Sequence, residues 1–139
     1  ARKRLRLKIS ADIYGFNGYY LFGNSIGQDV RSIARYTDAV SPMVYFSHYG
    51  PLFYRELPYP DRYMRTVQDS VMRARVNGGF NAAIRPYLQA FPMRSPGWGP
   101  AYITNQIRAA EEAAGAGWIF WNAMGDYSVV TKAAAGGTR

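Results

Sequence analysis

The chain has 139 residues, a typical length for one small domain and short of the roughly 250 of a complete (β/α)8 barrel. Its 48% hydrophobic content is enough to bury a core and excludes wholesale disorder. A net charge of +8 admits an anionic partner, while the absence of cysteine excludes disulfides, thiolate catalysis and cysteine-held metals.

In chain order, strand-like and helix-like segments alternate. Residues 5–13 read as a strand ending in Ser10-Ala11-Asp12, and residues 15–27 as a loop rich in Gly, Asn and aromatics. Residues 29–36 carry Val30, Ile33 and Ala34 at helical spacing, with Asp29 suited to the N-terminus. Residues 39–45 form a second strand containing Pro42, followed by a long loop over 46–62 with Pro51, Pro58 and Pro60. Residues 64–76 predict a helix with Val67, Val71, Met72 and Ala74 on one face, ended by Asn77-Gly78-Gly79. A third strand spans 83–89, and a Pro/Gly-rich loop covers 91–100. The helix over 103–114 buries Ile107, Ala110, Ala113 and Ala114 and stops at Gly115. Residues 117–121 form an apolar fourth strand, 129–135 a last helix, and 136–139 a frayed tail.

The order β-α-β-α-β-α-β-α implies an α/β fold with a parallel sheet, read as one partial barrel over residues 1–139 with four βα units. The loops after strands are long and carry the aromatic and polar groups, and those after helices are short. Ligands of α/β folds bind at the C-terminal ends of the strands. No apolar run approaches the roughly 20 residues of a membrane span, and no apolar stretch follows the basic N-terminus as a signal peptide requires. Arg2, Lys3, Arg4, Arg6 and Lys8 crowd that terminus. Arg31, Arg35, Arg73, Arg75 and Arg108 are spaced along helices, where solvated faces are the expected place for arginine.

Asp12 is the foremost candidate for chemistry. An acid at a strand end points into the mouth of a barrel, where it serves as acid/base, nucleophile or hydrogen-bond acceptor; capping a loop or pairing with an arginine is the competing role. His48 is the single histidine, and a loop histidine is more often a surface or hydrogen-bonded residue than a catalyst. With no second histidine, no zinc site is expected. Tyr45 and Tyr49, beside His48, read as the lining of a polar, aromatic cleft. Gln89, at a strand end, is placed to hydrogen-bond a hydroxyl. Arg85 falls inside an apolar strand, and a buried arginine needs a carboxylate, for which Asp12 is one partner. Trp118 and Trp121 are expected on one face with Phe120 opposite, Trp118 as core and Trp121 as a platform for a sugar ring.

Glycosidases usually set two carboxyl groups about one bond. Of the nine carboxylates here, Asp12 alone sits at a strand end. Glu56, Asp61 and Asp126 could reach in from loops, with no positional argument for any of them, so the chain reads as one carboxylate short. There is no phosphate-binding glycine loop, Ser-His-Asp spacing or G-x-S-x-G, and no cofactor is expected.

Taken together, five segments resemble one family. They are Ser10-Ala11-Asp12-Ile13-Tyr14-Gly15, Ile26-Gly27-Gln28-Asp29, Ser41-Pro42-Met43-Val44-Tyr45 with Ser47-His48-Tyr49-Gly50-Pro51, Ile84-Arg85-Pro86-Tyr87-Leu88-Gln89, and Trp118-Ile119-Phe120-Trp121-Asn122. In order and spacing, over roughly residues 7–127, they resemble the second half of the glycoside hydrolase domain of the DUF4015 type. The resemblance implies a bacterial protein and strands five to eight of a TIM (β/α)8 barrel. Strands one to four, with an Asp-Tyr-x-Arg-Phe-Pro motif ending the fourth, have no counterpart here. It also implies an extracytoplasmic or cell-envelope location.

The function expected on this basis is part of a glycoside hydrolase acting on a polysaccharide or oligosaccharide, incomplete and inactive alone. Asp12 is its catalytic acid, and Tyr14, Tyr45, His48, Tyr49, Arg85, Gln89, Trp121 and Asn122 line the sugar cleft. An upstream half-barrel segment, or a second copy, is expected to cover the open sheet. The alternative is a non-catalytic module that binds carbohydrate or, given the charge, nucleic acid by base stacking in a basic groove.

Overall fold

The computed structural model describes residues 7–21 and 26–136, so Arg2, Lys3, Arg4 and Arg6 and the last three tail residues lie outside the described residues. The elements run β1 (Ser10–Tyr14), α1 (Gly15–Tyr19), α2 (Val30–Ala34), β2 (Ala39–Val44), a 3-10 turn (Phe46–His48), α3 (Asp61–Asn77), β3 (Ala83–Ile84), β4 (Tyr87–Gln89), α4 (Pro100–Glu112), β5 (Ile119–Trp121) and α5 (Ser128–Gly136).

All strand pairs are parallel, and the sheet follows sequence order, β1-β2-β4-β5, with β3 also on β2. Short β3 and β4 are one expected strand broken at Arg85-Pro86, because proline has no N–H for the ladder. The pairing nevertheless runs through the break: Arg85 N–H donates to the Val40 carbonyl and Ile119 N–H to that of Pro86.

Alternation sorts the side chains onto two faces. Ile13, Val40, Val44 and Leu88 are fully buried against Val67, Val71 and Ala74 of α3 and Ala109 and Ala110 of α4. Burying Val67 and Val71 contributes about 2 kcal/mol each. Helices cover this face only. Asp12, Tyr14 and Trp121 emerge on the other, exposed face. A parallel sheet in sequence order, layered with helices on one side, is compatible with a segment of a (β/α)8 barrel.

Three expectations need correction. The segment after β1 is not all loop, since α1 forms there and packs on α3. Trp118 and Trp121 do not share a face: three positions is an odd interval in a strand, so Trp118 packs with Phe120 (ring centroids 5.1 Å) on the helix side and Trp121 turns away. Gly136, assigned to a frayed tail, ends α5.

Asp29 caps α2 as its position suggested, accepting from the Arg31 and Ser32 N–H groups at 3.2 Å each and from the Ser32 hydroxyl. The Ser32 hydroxyl contributes most to holding the Asp29 carboxyl below its ordinary value of 3.8. A depressed folded-state pKa stabilises the fold above the unfolded value, and that increment is lost as pH falls through the folded one. Asp29→Ala should therefore cost about 1 kcal/mol near neutrality. The deficit should fade as the pH is taken below 3.8. Denaturant titrations of both proteins at several pH values check this.

Candidate functional site

Parallel pairing brings the strand ends into register, Tyr14 beside Met43, Met43 beside Tyr87, and Gln89 beside Trp121. On the open face Asp12, Met43, Tyr45, Tyr87 and Trp121 line a cavity of about 280 Å³. Tyr87 is the nearest donor to Asp12, its hydroxyl 3.5 Å from Oδ2, at the outer limit of a hydrogen bond. Burial, reinforced by the Asp12 charge, pushes the Tyr87 phenol up, and burial, with Tyr87 and Asp12 adding to it, pushes Tyr45 up further. Both phenols are thus protonated donors at neutral pH. Trp121 is 46% exposed and presents a free indole face.

A second, larger cavity of about 570 Å³ continues from the first across the shared Tyr45 and Trp121. His48, Phe91, Pro92, Met93, Asn122, Ala123 and Met124 complete its lining. The exposed His48 ring packs edge-on to Tyr45, with centroids 5.3 Å apart.

Asp12 is the single acid lining these two cavities. Asp126, a loop candidate for a second carboxylate, accepts from Ser128 N–H at 2.9 Å and so caps α5. Asp61 begins α3 and Glu56 is exposed. Asp69 pairs with Arg65 at 3.0 Å, and Glu112 accepts from Gln68 at 2.7 Å. Among the described residues no group of three or more His, Asp or Glu could hold a metal ion.

Of the other expected lining residues, Asn122 borders the larger cavity with its amide engaged by protein, and Gln89, Tyr49, Tyr14 and Arg85 line neither cavity. Gln89 is fully buried and its amide is saturated by protein. Its Oε1 accepts from Ser47 N–H at 3.0 Å, and its Nε2 donates to the Phe91 and Met93 carbonyls and to Ser95 Oγ at 2.8–2.9 Å. It positions the 3-10 turn and the loop after β4, and its full burial keeps it from a substrate hydroxyl. Asn122 is similarly occupied, donating to the Ala90 and Asp126 carbonyls and accepting from Met124 N–H at 2.8 Å.

Tyr49 turns into the helical core, bonded to Ser70 Oγ at 2.9 Å, with burial pushing its phenol up. Tyr14 is exposed on the open face, its N–H donating to Gln28 Oε1 at 2.7 Å, and it lines neither cavity. Arg85 forms no ion pair with Asp12. It is exposed at the break beside Pro86, and water removes its need for a carboxylate.

Sequence reasoning missed Met43 and Tyr87 in the smaller cavity and Phe91, Met93 and Met124 in the larger. For Tyr87 a signal existed: its spacing from Gln89 puts it on the same strand face. The loop residues carry no such periodic signal.

No curated protein and no solved structure matches the chain. An acid on a parallel strand, two residues before its C-terminal end, beside protonated phenols and an exposed indole, suits carbohydrate chemistry, and residues 1–127 match the family described as "Putative glycosyl hydrolase domain" (DUF4015), to which this chain belongs.

Proposed function

We propose that the open sheet face and its C-terminal rim form one wall of a glycan cleft in a glycoside hydrolase barrel, with these strands as the last four of eight. Asp12 is the carboxylate at the scissile bond, and Trp121 is the platform on which a sugar ring stacks. The observation that carries this reading is the cavity where Asp12, Tyr45, Tyr87 and Trp121 meet on the open face of the parallel sheet. An indole face takes the apolar face of a pyranose while protonated phenols bond its hydroxyls, the mixed lining that small polar ligands require.

Hydrolysis needs a second carboxyl across the bond, and none lines this cavity. We place that group on a segment that covers the open face and completes the cleft. Among the described residues β1 and β5 are the sheet's edges. Unpaired edges and an uncovered face of this kind favour association with a further segment or chain. Unaided, the chain binds oligosaccharide weakly and does not turn it over. Arg31 of α2, Arg65, Arg73 and Arg75 of α3 and Arg108 of α4 are exposed on the helical layer, away from this face. That distribution favours carbohydrate over nucleic acid. No helix among the described residues is long and apolar enough to cross a membrane.

Calorimetric titration with a panel of soluble oligosaccharides tests the reading. Weak binding is expected, reduced about tenfold or more in Trp121→Ala, the loss typical of a central aromatic anchor. Clear turnover by the chain that persists in Asp12→Asn would place the acid elsewhere.

A further inference from the structure

We propose that a third cavity, between the 3-10 turn and the first turn of α3, binds an oxyanion: a phosphate, sulfate or carboxylate group. It has a volume of about 240 Å³ and is lined by Phe46, Ser47, Gly50, Pro51, Tyr59, Arg62 and Arg94. It shares no residue with the Asp12 cavity, so the inference stands apart from the proposed hydrolase role.

Three features point to an anion. Arg62 is only 8% exposed, yet among the described residues neither it nor Arg94 pairs with a carboxylate. Its guanidinium donates to the Phe53 carbonyl at 2.7 Å, to the Pro51 carbonyl and to the Tyr59 hydroxyl at 3.3 Å. A guanidinium has five N–H groups, so two remain, and neutral acceptors leave the positive charge in place. A buried charge without a counter-ion is costly, and an entering anion relieves that cost.

The second feature is Ser47, 4% exposed, whose hydroxyl has no hydrogen-bond partner although it lines this cavity. An orphaned buried hydroxyl costs free energy that a ligand acceptor recovers. Its backbone N–H is tied to Gln89 Oε1 at 3.0 Å, which fixes the position of the residue at the cavity wall. The third is Arg94, whose φ of +48° lies in the left-handed region that a long side chain rarely adopts. That strain is tolerated while it sets a second, exposed guanidinium at the cavity's rim. No acid lines the cavity to compete.

Calorimetry with inorganic phosphate and with sulfate, against chloride at matched ionic strength, tests the site. Saturable binding of the oxyanions and none of chloride is expected. Arg94→Asn and Ser47→Ala should each weaken it, Arg94→Asn by about tenfold, the value of a charge-assisted hydrogen bond. Asparagine tolerates the left-handed backbone, and Ser47→Ala removes a hydroxyl with no partner, so neither variant should lower the unfolding midpoint. A parallel titration with glucose 6-phosphate and glucose separates the sources: tighter binding of the ester than of phosphate marks an anionic substituent on a sugar, and equal binding marks the free ion. Binding that chloride reproduces, binding unchanged in both variants, or no binding of any oxyanion would overturn the proposal.

Discussion

Gln89→Ala should lower the unfolding free energy by about 3 kcal/mol or more, the largest expected loss from any single side chain at the rim. Truncation strands the Ser47 N–H, leaves a cavity in a fully buried site and removes one of the two donors to the Phe91 and Met93 carbonyls, the other being the Ser95 hydroxyl. Each buried polar group left unpaired costs about 1–3 kcal/mol. The backbone of Gln89 is also bracketed by the Gln106 amide, which accepts from its N–H and donates to its carbonyl, both at 3.0 Å. That bracket survives the substitution, so β4 should persist while the two loops it organises loosen. Denaturant titration reads the stability, and amide hydrogen exchange should show protection lost in the 46–48 turn and the loop after β4, with little change in α3. His48→Ala, on an exposed ring of the same turn, is the near-neutral comparison. A Gln89→Ala protein with wild-type stability and exchange would mean the network is not what holds the rim.

Gly15→Ala is expected to be as damaging by a different route. A methyl group there would lie inside the van der Waals radius of the Met43 carbonyl oxygen and 2.8 Å from the Tyr49 hydroxyl. The carbonyl belongs to the neighbouring strand and cannot rotate away, so β1 and α1 must shift against β2. Overpacking of this kind typically costs 1–3 kcal/mol and sometimes more, a large share of the 5–15 kcal/mol that holds a domain together. Because Asp12 lies on β1, three residues before Gly15, the shift should also displace the carboxylate. A lowered midpoint in thermal or chemical unfolding, with weaker oligosaccharide binding at temperatures where the variant stays folded, is the expected pair of results. Full stability in Gly15→Ala would show that the strand junction is looser than the close approach implies.

These two residues also show where the sequence was readable. Long helices were legible because apolar positions recur at the helical period: Val67, Val71 and Ala74 of α3 all face the sheet, while Met72, expected with them, is 53% exposed. Asp12 was expected to end its strand and point into a barrel mouth; it sits two residues earlier, on the exposed side opposite buried Ile13, as alternation along β1 requires. Helix α1 was illegible because Gly15 and Gly18 are poor helix formers, each costing about 1 kcal/mol relative to alanine. Their reason is tertiary: a side chain at Gly18 would stand 3.2–3.4 Å from Ala74, Pro42 and Ile13.

Tyr49 and Gln89 misled for a related reason. A polar or aromatic residue near a strand end is equally suited to lining a cleft and to tying down backbone, and the partners that decide it are remote in sequence. Ser70 is 21 positions from Tyr49, and Ser47 is 42 positions from Gln89. For the tryptophans the sequence held the answer in the odd interval between 118 and 121, which strand geometry alone resolves.

The three tryptophans provide the most direct test of the carbohydrate cleft. Trp121 stands on the open face, Trp118 packs with Phe120 beneath the helices, and Trp98 lies against Tyr102 with ring centroids 5.5 Å apart. Each indole N–H gives its own signal in a two-dimensional NMR spectrum, so a titration with a soluble oligosaccharide carries two internal controls. The account gives a saturable shift of the Trp121 indole, together with backbone signals of Tyr45 and Tyr87, while Trp98 and Trp118 stay in place. Saturable shifts confined to Trp98, Trp118 or the helical layer, with Trp121 unmoved, would contradict it.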